Sequence, residues 1–209
     1  MLHLGLGNFF RAHPCWYTDH APDCADWGFT AFTGRGSQPL ATALNDQQGL
    51  YTLISRGPAA DEVEVIGCLV RAHPAADQDR WLQHFAAPDL AAVTVTVTEA
   101  AYLRGPDGGL DAGRPEVRAD VEALRADPAA AVRTAPAKLV AGLAARRSAG
   151  TGPIALVPLD NVPGNGGVAR RVLTELAELI DPGLAVWLTG SVSVVTTVAD
   201  RITPRSGPE

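Results

Sequence analysis

The run Ala92-Val93-Thr94-Val95-Thr96-Val97-Thr98 constrains the fold of this chain more than any other stretch. Its near-unbroken β-branched content suits a strand covered on both faces, as interior strands of parallel sheets are. Parallel strands need long crossovers, usually helices, and the rest of the chain supplies them in alternation. Further strands are predicted at 2–4, 28–33, 154–159 and 191–197, and segments 51–55 and 63–70 are expected to pair as a hairpin. Helices are predicted from residue 10 or 11 towards 21, at 38–45, 81–85 and 115–126, from Pro136 to Gly150, and over 168–180, where Asp181-Pro182 stops the pattern. Residues 105–113 read as a surface excursion with Gly108-Gly109 at its tip. The expectation is an α/β fold: a doubly wound, mostly parallel sheet with helices on both faces.

With 209 residues, 46% of them hydrophobic, the chain can bury one sizeable core. No run approaches the roughly 18 apolar residues of a membrane span, and no basic-then-apolar leader is visible, so a cytoplasmic setting is expected. The net charge of −6 argues against nucleic acid, which needs clustered cations. The doublets Arg146-Arg147 and Arg170-Arg171 are expected on helix surfaces. Cys15, Cys24 and Cys68 match neither a disulfide framework nor zinc-ligand spacing, so they are read as reduced and mostly packed, with no metal site. Lys138 is the one lysine. It stands at the start of a helical pattern and is expected to point to solvent.

The first strand runs into Gly5-Leu6-Gly7, just ahead of Arg11 and His13. A strand that ends in Gly-x-Gly and turns into a helix brings bare backbone against a dinucleotide diphosphate. Gly5 suits the tight turn, and Gly7 has no Cβ to keep a phosphate away. Phe10 stands where a third glycine usually lies. Ligands of open α/β sheets bind at the carboxyl ends of the strands, and polar residues gather there: Thr98-Glu99, Asp160-Asn161 and Asp200-Arg201. The Asn161 carboxamide can donate to a developing alkoxide, and Glu99 suits a proton relay or a ribose hydroxyl. Asp160 and Asn161 equally suit capping of the following helix. Both readings stay open on spacing alone.

Six ordered motifs carry a resemblance: Gly5-Leu6-Gly7-Asn8-Phe9-Phe10-Arg11-Ala12-His13, Trp27-Gly28, Leu50-Tyr51-Thr52-Leu53, Thr96-Val97-Thr98-Glu99, Asp160-Asn161-Val162-Pro163-Gly164-Asn165-Gly166 and Asp200-Arg201-Ile202-Thr203-Pro204. Together they resemble the mannitol dehydrogenase family of polyol-specific long-chain dehydrogenases, which includes mannitol 2-dehydrogenases and mannonate (fructuronate) oxidoreductases.

The resemblance implies a Rossmann-type NAD(P)-binding domain over residues 1–204, with 205–209 a tail towards a separate helical catalytic domain. That domain carries the family's lysine base. By the same resemblance Gly5, Gly7, Asn8, Phe9 and Arg11 line the diphosphate turn. Thr98 and Glu99 lie near the nicotinamide ribose, Asn161 polarises the reacting oxygen, and Asp200 faces the substrate. The second strand ends in Thr33-Gly34-Arg35, without the carboxylate that usually holds a ribose 2′-hydroxyl. NAD is the expected cofactor, while Arg35 suits the 2′-phosphate of NADP. The implied reaction is hydride transfer between the nicotinamide and a polyol or sugar acid, such as mannitol/fructose or mannonate/fructuronate, with this chain as the cofactor-binding part of a truncated enzyme. The alternative is a stand-alone or split dinucleotide-binding module without its own catalysis.

Overall fold

A computed structural model describes residues 1–34, 38–201 and 203. The chain divides into two compact units, Met1–Ala75 with Asp200–Glu209, and Ala76–Ala199.

The first unit is built from β1 (Leu2–Leu4), α1 (Asn8–Ala12), α2 (Pro14–Asp19), β2 (Phe29–Phe32), α3 (Gln38–Asp46), β3 (Tyr51–Ser55), β4 (Glu62–Ile66) and β5 (Leu69–His73). β1 and β5 flank β2, and both pairings are parallel. β3 and β4 form a separate antiparallel ribbon. All three residues of β1 are buried, so both of its faces are covered. One core joins Leu6, Phe10, Phe29, Ala31, Leu44, Ile66 and Leu69.

Two expectations change here. The helix expected from residue 10 to 21 is broken at His13 (φ −121°, ψ −69°), because Pro14 starts α2 and restricts the residue before it. The segment 63–70 splits: β4 completes the ribbon, and the chain after Gly67, whose N–H donates to Asp19 at 2.6 Å, restarts as β5 alongside β2.

The second unit holds α4 (Gln78–Ala86), β6 (Ala92–Val95), a 3-10 turn (Glu99–Tyr102), α5 (Pro115–Ala126), α6 (Ala135–Ala149), β7 (Ile154–Pro158), α7 (Asn165–Ile180), α8 (Pro182–Ser191) and β8 (Val192–Val194). β7 pairs in parallel with β6 on one side and β8 on the other. The β-branched run is a strand only as far as Val95, but its Val93, Thr94 and Val95 are all buried, so both faces are covered as expected.

Helix ends follow local chemistry. Asp77 caps α4 by accepting from Arg80 N–H, Thr134 caps α6 by accepting from Ala137 N–H, and Gly150 closes α6 in the left-handed region. α8 is absent from the sequence expectations: Asp181-Pro182 ends α7 and also begins the next helix, with Asp181 accepting from Gly183 N–H. The 105–113 excursion is tied down by Arg171, which donates to Asp107, and by Glu175, which accepts from Leu110 N–H at 2.6 Å.

Each unit is thus a β-α-β-α-β half of the kind from which a doubly wound sheet is made.

Two cationic residues overturn their expected exposure. Lys138 is buried on α6, its Nζ 3.5 Å from Gln78 Oε1 and 5.4 Å from the centre of the Trp81 ring. Burial pushes its pKa down to about 8, although Asp77 pulls the other way. Arg146 is also buried, and its five N–H groups donate to five carbonyls, those of Phe85, Ala87, Thr151, Gly152 and Pro153. The cause is close packing: a Cβ on Gly142 would stand 2.5 Å from the Phe85 ring, so α6 and α4 touch where a side chain would hold them apart. Cys15 and Cys68 are buried and Cys24 exposed; all three are free thiols.

Candidate functional site

In the first unit β1 ends at Gly5, whose φ of +114° is open to glycine and to few other residues. The N–H groups of Gly5 and Leu6 both donate to Phe32 O at the end of β2, at 2.9 and 3.2 Å. Gly7 follows as N-cap of α1 in extended backbone (φ −93°, ψ −179°), exposed and with no side-chain cap on the helix. A Cβ there would meet only Gly5 O, at 3.8 Å. The fold itself therefore leaves room for a side chain at Gly7. Its N–H turns inward to Gly5 O at 2.6 Å, so Gly7 offers bare space rather than its own amide.

The carbonyls of the turn are drawn to the protein side. Gly5 O accepts from His3 Nε2 at 3.0 Å, and Leu6 O accepts from Arg11 Nη1 at 3.5 Å. Arg11 Nη2 also donates to Asn8 Oδ1 at 2.6 Å, and Tyr51 OH donates to Arg11 O at 2.6 Å. Arg11 is half-buried, and burial lowers its pKa without removing the charge at neutral pH. This combination, carbonyls held back, a fixed guanidinium and an uncapped helix start, fits an anion such as a diphosphate.

Phe9 packs edge-on to His13 with ring centres 4.8 Å apart. His13 Nε2 lies 3.0 Å from Thr203 Oγ1, and Arg201 sits over the Tyr17 ring. Burial lowers the His13 pKa, Arg201 lowers it further, and Asp200 raises it, so the exposed Asp200 and its neighbour lie close to the α1–α2 break. At the end of β2, Thr33 is buried and its Oγ1 accepts from Ala75 N–H at 2.8 Å. Arg35 falls outside the described residues.

The second unit brings Thr98-Glu99 and Asp160-Asn161 to the carboxyl ends of paired strands, joined by Leu159 N–H donating to Val95 O at 2.8 Å. Thr98 is exposed, and Glu99 is paired with Arg104 at 2.5 Å. Asp160 is buried; it accepts from Val162 N–H and from the Tyr102 hydroxyl. Burial and that hydrogen bond push the Tyr102 pKa upward. Neither Asp160 nor Asn161 caps α7, which begins after Gly164 at φ +65° with no side-chain cap. Asn161 is exposed.

Sequence reasoning assigns no role to Asn165, the hub of this region. It is fully buried; its Nδ2 shares two N–H donors among Pro158 O, Asp160 O and Thr197 Oγ1, all within 3.1 Å, and its Oδ1 accepts from Thr197 N–H. Beside it, a Cβ on Gly166 would stand 2.6 Å from Val195 O. The Asp-Asn-x-Pro-Gly-Asn-Gly motif therefore has a physical reading: Asp160, Asn165 and the glycines lock the chain after β7 against the chain after β8, leaving Asn161 exposed. His3 is likewise missed; its signal is a lone imidazole in an apolar strand, one alternation before Gly5. Among the described residues no cluster of metal ligands occurs, and no helix is long and apolar enough to cross a membrane.

Comparison with known proteins agrees with this geometry. Residues 1–208 match the family described as "Mannitol dehydrogenase Rossmann domain". The chain is 36% identical to the mannitol 2-dehydrogenase of Cereibacter sphaeroides and 35% identical to the D-mannonate oxidoreductase of Escherichia coli K12, in each case over 100% of this chain but only 44% and 43% of the relative. It thus spans less than half the length of these relatives. Among solved structures, the ternary complex of Pseudomonas fluorescens mannitol 2-dehydrogenase with NAD and D-mannitol superposes with a TM-score of 0.84 at 30% identity, covering 92% of this chain and 40% of that one. A D-sorbitol dehydrogenase in substrate-free form gives a TM-score of 0.82. The chain belongs to the mannitol dehydrogenase family and has the fold of its Rossmann domain.

Proposed function

We propose that this chain is the NAD-binding part, residues 1–204, of a dehydrogenase acting on an open-chain polyol or sugar acid. The observation that carries the reading is the turn from Gly5 to Arg11: strained where only glycine serves, open where a Cβ would otherwise project, and with its carbonyls held back. Gly7 lets the backbone approach the diphosphate, and Arg11 keeps a positive charge beside it while bracing Asn8 and Leu6 O. Bound NAD would accept hydride from the alcohol carbon. Thr98 and Glu99 face the ribose, with Glu99 held by Arg104. The exposed Asn161 donates an N–H to the reacting oxygen as it gains charge, and Asp200 contacts the substrate.

The proton acceptor lies outside these residues. The one lysine, Lys138, is committed to the packing of α4 on α6. The family's helical domain is the partner that supplies a base.

The test is an oxidation assay of the 209-residue chain with mannitol and with mannonate, beside calorimetric titration with NAD and with NADP. Binding of NAD without turnover is expected. Turnover would show that the chain contains its own base, and preference for NADP would move the adenosine-end specificity to Arg35.

A further inference from the structure

His3 stands on β1 two residues before Gly5, so strand alternation puts both on one face. Its ring lies flat on Phe10, with centres 3.6 Å apart and planes 9° from parallel, and edge-on to Phe29. None of the residue is exposed. A carbonyl oxygen only accepts, so the imidazole carries its hydrogen on Nε2 and donates it to Gly5 O. The other side of the same peptide, Leu6 N–H, donates to Phe32 O. The Gly5–Leu6 peptide is therefore clamped at both ends, at a residue whose backbone freedom would otherwise let the plane turn. A turned plane would aim a carbonyl where an anion needs an N–H.

We propose that His3 is a positioning residue for the phosphate-binding turn: it fixes the Gly5 carbonyl inward, and Phe10 replaces the customary third glycine because its ring holds the imidazole in that pose. The proposal rests on reading the turn as nucleotide-binding. Burial pushes the His3 pKa down to about 3, so the imidazole stays neutral and its hydrogen bond persists through the physiological range.

The decisive pair of variants is His3→Gln, whose side-chain amide reaches as far as Nε2, and His3→Asn, whose amide stops short. The chain is titrated calorimetrically with NAD and with adenosine, and amide exchange at Gly7 is followed in each variant. His3→Gln should bind NAD within about threefold of wild type, while His3→Asn should bind about tenfold more weakly, the scale of one lost hydrogen bond. Adenosine affinity should be the same in all three, and Gly7 exchange should accelerate in His3→Asn alone. Equal NAD affinity throughout, or equal losses in both variants, would overturn the proposal. A wild-type chain that binds no NAD would instead refute the cofactor reading, and the role of His3 in the turn would then stand or fall on Gly7 exchange.

Discussion

Single residues in this protein owe their state to what surrounds them more than to their type. A histidine in an apolar strand becomes a donor that stays neutral at physiological pH, and that has a consequence for stability. The folded value of about 3 for His3 lies below the value near 6.5 of an unfolded chain, so the unfolded state takes up the proton first as pH falls. The contribution of His3 is whole above about pH 6.5 and is lost progressively towards pH 3, by up to about 1.4 kcal/mol per pH unit. Thermal melts between pH 7 and pH 4.5 should show a shallower pH dependence in His3→Gln than in wild type. Lys138 and Arg146 teach the same lesson in reverse. Their sequence positions near the ends of a helix suggest solvent, but nothing in the sequence states that Gly142 would admit the Phe85 ring so closely.

Secondary-structure elements are legible in the sequence where the period is clear and the ends are marked by chemistry. Pro115 and Pro136 announce their helices, and the strand at Ile154 is unmistakable by its apolar run. Misreadings fall where one residue has two uses. Pro14 breaks one helix and opens the next, and Pro182 does the same between α7 and α8. Gly67 hides the step from ribbon to sheet inside one β-rich segment. Between elements, Arg146 is the joint with the largest stake, since it satisfies carbonyls both at the end of α4 and in the loop before β7. Arg146→Met should keep the packing volume but orphan those carbonyls, lowering unfolding free energy by about 3 kcal/mol or more in denaturant titrations. Arg147→Met, which breaks only an exposed pair with Asp181, should cost less than about 1 kcal/mol.

Across the chain, each of the two β-α-β-α-β halves holds candidate functional residues of its own. The Gly5–Arg11 turn belongs to the first, and the ends of β6 and β7 to the second. The motifs make most of these positions legible in the sequence alone, because glycines and strand-end polar residues are demanded by backbone geometry that a sequence records. His3, Tyr102 and Asn165 are not legible in that way, because their importance lies in side-chain contacts with Gly5 O, Asp160 and Thr197 that residue type and spacing do not record. Gly7 is the critical position of the proposed diphosphate turn: an exposed glycine in an ordinary backbone conformation that the fold does not itself require. The deciding experiment is calorimetric titration of NAD into the wild-type chain and into Gly7→Ala, with melting temperatures measured alongside. Wild type should bind, and Gly7→Ala should melt within a few degrees of it while losing about tenfold or more in affinity. A folded wild type that binds neither NAD nor NADP, or a Gly7→Ala chain that binds NAD as well as wild type, would contradict the assignment of this turn to the diphosphate.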